Sequence, residues 1–94
     1  MKNIHQPIIE IMAYYAKELD NKKVQEILQK ESIDTELEAK EILNFLDSMC
    51  EQVAVDSKSN IVVLRQPIHT TDAEKVCDVM EDFIEELGYG HLTN

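Results

Sequence analysis

The sequence predicts an α+β domain that is mostly helical: three helices, a wing-like β-hairpin, then a C-terminal amphipathic helix. Three observations predict it. Apolar residues recur at intervals of three and four through several long stretches, the pattern of helices with one buried face. Two Thr-x-x-Glu sequences, Thr35/Glu38 and Thr71/Glu74, have the spacing of a capping box at a helix start. Between the last two helices, Ile61-Val62-Val63-Leu64-Arg65 is rich in β-branched residues and follows a polar turn.

Pro7 suits a first helical position, and Ile8 to Leu19 follow without a breaker. Ile8, Met12, Tyr15 and Leu19 form one stripe, which Ile11 and Tyr14 widen and Ile9, Ala13 and Ala16 fill beside. A helix apolar nearly all round is central or lies in an interface. The interface reading names Ile9, Ile11, Tyr14 and Tyr15 and expects a homodimer or heteromer. Asp20-Asn21 can start a second helix through Val24, Ile27 and Leu28, because both residue types cap well. Unbroken continuation of the first helix is the rival. Ser32-Ile33-Asp34 reads as a linker, and the third helix is expected from about Glu36 to Glu51, with Ala39, Ile42, Leu43, Leu46, Met49 and Cys50 as its stripe.

The period then shortens. Gln52–Asp56 is β-compatible, Ser57-Lys58-Ser59-Asn60 is a polar turn, and Pro67 stops the second strand because it has no amide proton to donate. The final helix, Thr71 to Gly88, stripes Ala73, Val76, Cys77, Met80, Phe83, Ile84 and Leu87, and Gly88 follows where a left-handed cap is wanted. The 94 residues make one domain, with 7–88 as its ordered part and 89–94 as a loose tail.

This order of elements, from Pro7 to Gly88, resembles the winged-helix superfamily in pattern and spacing. The resemblance implies a third helix in the DNA major groove. Two features depart from the pattern: the linker lacks a turn glycine and the third helix is long. A helical bundle decorated by one hairpin is the rival arrangement.

Charge points away from DNA. Acidic residues outnumber basic ones 19 to 9. The third helix carries Glu36, Glu38, Glu41, Asp47 and Glu51 against Lys40, where a groove-reading helix needs basic groups beside phosphates. Lys2, Lys17, Lys22, Lys23 and Lys30 form the one candidate patch for a DNA-binding transcription regulator. The last helix is the densest anionic face, with Asp72, Asp78, Glu81, Asp82, Glu85 and Glu86 as partner-binding candidates against the lone Lys75. Such a face repels phosphate and suits a basic protein surface, or presents a DNA-like surface to one.

No motif for catalysis, a cofactor or a metal stands out, and an enzyme is not expected. His5, His69 and His91 have no metal-ligand spacing with one another or with Cys50 and Cys77, which read as buried free thiols. The sequence has no secretory h-region and no apolar run of membrane-spanning length, so a cytoplasmic protein is expected. The reading is a small, acidic, non-enzymatic interaction module: an adaptor, regulatory subunit or inhibitor.

Overall fold

In the computed structural model Pro7 lies in the first turn of helix α1, Gln6–Glu18, where its missing amide proton costs nothing. The structure describes residues 6–58, 62–63, 66–67 and 70–92, apart from the side chains of Ser57 and of 62–63, 66–67 and 70–73. Helix α1 does end before a second helix begins. Asp20 adopts a left-handed φ of 53°, Asp20 N donates to Lys17 O and Asn21 N donates to Ala16 O at 2.8 Å. That pair of bonds is a Schellman stop. Asn21 then caps α2, Lys22–Lys30, its side chain accepting from Val24 N at 3.0 Å. Adjacent residues thus close one helix and open the next, and the unbroken helix is excluded. Glu31, also left-handed at φ 60°, ends α2.

The capping spacing at Thr35/Glu38 starts α3, Glu36–Lys58. Thr35 Oγ1 accepts from Glu38 N at 3.2 Å, while Glu38 Oε1 reaches back to Asp34 N at 2.8 Å rather than to the cap residue's own amide. Helix α4, Thr70–Ile84, runs on through a π-helical turn, Glu85–Tyr89, and a 3₁₀ turn, Gly90–Leu92. Gly88 has φ 95°, the left-handed conformation that its place after the apolar stripe requires.

The α+β expectation is overturned. Among the described residues the protein is all-helical, built from four α-helices. Helix α3 does not stop at Glu51; it absorbs Gln52–Asp56, the expected first strand, and runs to Lys58. The reason lies in the packing. In a strand Val53 and Val55 would share a face, but here Val53 is fully buried and Val55 is 56% exposed, a separation only a helix gives. No Gly or Pro interrupts 34–66, so nothing stops the helix earlier. The expected pairing of 52–56 with 61–65 is therefore absent; Val62–Val63 instead meets Gln66–Pro67 in a two-residue antiparallel contact, too short to form a wing. Residues 59–61 and 64–65 of the expected turn and second strand lie outside the described residues.

The core sits between all four helices. It takes Met12, Tyr15 and Ala16 from α1, Val24, Ile27 and Leu28 from α2, and Val76, Met80 and Ile84 from α4. The long α3 crosses the whole molecule and supplies Ala39, Ile42, Phe45, Leu46, Met49 and Val53. Its 23 residues span about 35 Å at 1.5 Å per residue, matching the 37 Å long axis. Helix α1 is apolar nearly all round because it packs on both α2 and α3. The tail expected to be loose turns back: Tyr89 and Leu92 pack against the core, and His91 Nε2 lies 2.9 Å from Glu36 at the start of α3. Residues 93–94 lie outside the described residues.

Candidate functional site

Three places on this frame gather chemistry. The first is the outer face of α4 and its continuation. Glu74, Asp78, Glu81, Asp82, Glu85 and Glu86 are all exposed there, opposite the buried Val76, Met80 and Ile84. The side chain of Asp72 lies outside the described residues. Spacings of three and four place Glu74, Asp78, Glu81, Asp82 and Glu85 along one stripe. Helix α3, which packs on α4, carries an exposed acid of its own at Asp47. Its exposed Asp47 and α4's Glu81 both bear electrostatically on the Cys77 thiol. Helices α3 and α4 pack against each other along a seam, and each carries exposed acids.

At that seam Cys77 Sγ lies 2.8 Å from Cys50 Sγ, and both thiols are free and half-buried. Burial, then the contact with Cys50, then the negative charges of Glu81 and Asp47 push the Cys77 thiol far above its ordinary range. A thiol held protonated is a poor nucleophile. His5 and His69 lie outside the described residues.

The second place is buried. Tyr15 is fully enclosed, and its hydroxyl donates to Asp56 Oδ2 at 3.1 Å, while Gln52 Nε2 donates to Asp56 Oδ1 at 3.0 Å. Burial first, and then the hydrogen bond to Asp56, raise the Tyr15 hydroxyl well above the ordinary tyrosine range, so it stays a donor at any physiological pH. Tyr14 stacks edge-on against Tyr15 with ring centroids 5.1 Å apart. This is a satisfied core network. Of the residues expected at an interface, Ile9 and Tyr15 are buried inside this chain, while Ile11 and Tyr14 are half-buried against its core.

The third place is a groove of about 370 Å³ between α2 and α3, lined by Lys23, Glu26, Ile27, Lys30, Leu37, Glu38 and Glu41. Its charges neutralise one another. Lys30 bonds both Glu38 and Asp34, and Lys23 lies 3.8 Å from Glu41. The hydrogen bond from Lys30 holds the Glu38 carboxyl below its ordinary range. Two of the lysines offered for DNA are thus already paired, and Lys2 lies outside the described residues. Among the described residues no three His, Cys, Asp or Glu side chains converge to hold a metal ion, and no helix is long and apolar enough to cross a membrane. No protein-family model matches this chain, and neither a curated protein nor a solved structure is similar to it.

Proposed function

We propose that the protein is a non-enzymatic interaction module whose α3–α4 acidic ridge docks on a basic surface of a partner protein, as an adaptor, regulatory subunit or inhibitor. One observation carries the reading: Glu74, Asp78, Glu81, Asp82, Glu85 and Glu86 are all exposed on the outer face of α4 and its continuation, and α3, packed against α4, adds the exposed Asp47. Lys75 is the sole basic residue of α4. A surface of one sign steers an oppositely charged partner and sets its orientation more than it adds affinity. It repels nucleic acid, and the pairing of Lys23 and Lys30 removes the best local counterweight. The proposal includes a cytoplasmic setting.

The test compares two immobilised forms of the full chain, wild type and the fourfold variant Asp47→Lys, Asp78→Lys, Glu81→Lys and Asp82→Lys, as baits for proteins of the source cell. Glu85 and Glu86 are left in place because they make contacts within the chain. The reading expects a basic protein held by the wild type, released by salt and missed by the variant. Equal capture by both forms would assign the ridge to solubility alone.

A further inference from the structure

We propose that Cys50 and Cys77 form a reversible dithiol–disulfide pair that, when oxidised by a small-molecule disulfide, staples α3 to α4 beneath the acidic ridge. This holds or fails independently of what the ridge binds. The two sulfurs come from different helices, are 27 positions apart, and already touch at 2.8 Å. A disulfide bond is about 2.05 Å long, so closure asks for under about 1 Å of relative movement. Helices α3 and α4 pack closely against each other, so the two cysteines are held in register. Both are half-buried rather than sealed, which leaves a path for a small reagent.

With oxidised glutathione as that reagent, the electron flow balances in two exchanges. The Cys50 thiol gives its proton to solvent and its sulfur attacks one glutathione sulfur; the glutathione S–S bond breaks and one glutathione thiolate leaves. Cys77 then loses its proton and attacks the Cys50 sulfur, expelling the second glutathione. Two protein thiols are oxidised and one small disulfide is reduced to two thiols. Because burial and the neighbouring sulfur hold Cys77 protonated, the first attack falls to Cys50, and closure accelerates as pH rises. The bond closes a loop from Cys50 to Cys77, which restricts the unfolded chain.

The full chain is incubated in buffers of graded reduced-to-oxidised glutathione ratio, quenched with acid, alkylated and weighed by mass spectrometry. The expected product is a monomer lighter by two hydrogens that carries neither alkyl label nor glutathione. Its Tm should rise by on the order of 15 °C, as expected for a loop of this length in a domain of this size. Cys77→Ser should stop at a glutathione adduct on Cys50, Cys50→Ser should keep Cys77 largely unmodified, and neither should show such a rise. Persistent adducts on the wild type, disulfide-linked dimers, or two thiols still open to alkylation in fully oxidised buffer would each overturn the proposal. The wild-type mass decides the matter even if a serine variant fails to fold.

Discussion

Replacing Tyr15 by Phe probes the contact that ties α1 to the far half of α3. The ring stays and only the hydroxyl goes, so packing changes little. The hydroxyl is fully enclosed and donates to Asp56, itself buried, which among the described residues also accepts from Gln52. A hydrogen bond to a charged group contributes about 1.5–3 kcal/mol, and a buried acceptor left short of partners keeps its desolvation cost. The expected loss is therefore about 1.5–3 kcal/mol, or roughly 8–15 °C in Tm for a domain of this size. Urea unfolding followed by far-ultraviolet circular dichroism reads it directly. A pH series adds a second signature. An unfolded tyrosine ionises near 10, while the folded Tyr15 keeps its proton to higher pH. A group whose proton the fold holds more tightly stabilises fully below the unfolded value and loses that contribution as pH climbs past it. Wild-type stability should fall above about pH 10, and Tyr15→Phe should fall less steeply, with Tyr14, also raised by burial, supplying the residual slope. A variant within about 0.5 kcal/mol of wild type, with the same alkaline slope, would refute the buried network and with it the helical assignment of 52–56.

Further outcomes follow from the same structure. Leu46→Ala should cost about 2–5 kcal/mol in urea unfolding, and Phe83→Ala less, because Leu46 is buried and Phe83 only half so. Gly88→Ala should cost about 1–2 kcal/mol from its left-handed φ alone, since a Cβ there meets nothing within 4 Å; no loss would mean that the turn relaxes freely. The carboxyls of Glu36, held down by His91, and Glu38, held down by Lys30, favour their charged forms in the fold. Stability should therefore be retained above about pH 4.5 and fall as pH drops below it, and Lys30→Met should flatten that acid limb. Like charges at Asp78/Asp82 and Glu81/Glu85 repel along α4, so moderate salt should raise the Tm of the isolated protein.

The helices were legible where the apolar period was long and the caps stood in place: Asn21, Thr35/Glu38 and Gly88 each do what their residue type suits. The stretch Gln52–Asp56 misled because Val-Ala-Val alternates like a strand while also fitting helical spacing from Met49 to Val53. Only tertiary packing, with Val53 in the core and Asp56 under Tyr15, decides between them. The acidic character of α4 was plain from its residues. The meeting of Cys50 with Cys77 depends on the rotation of α3 against α4, which no local pattern encodes. The return of His91 to Glu36 spans 55 positions and carries no periodic signal at all.

The association rate of the wild-type protein with the basic partner captured on the ridge, measured as ionic strength rises, tests the central claim most directly. Charge complementarity acts mainly on encounter. The rate constant should fall steeply with salt, and the variant reversed at Asp47, Asp78, Glu81 and Asp82 should associate slowly at every salt concentration while keeping its helical circular dichroism. A salt-independent rate, equal for the two proteins, would contradict the claim.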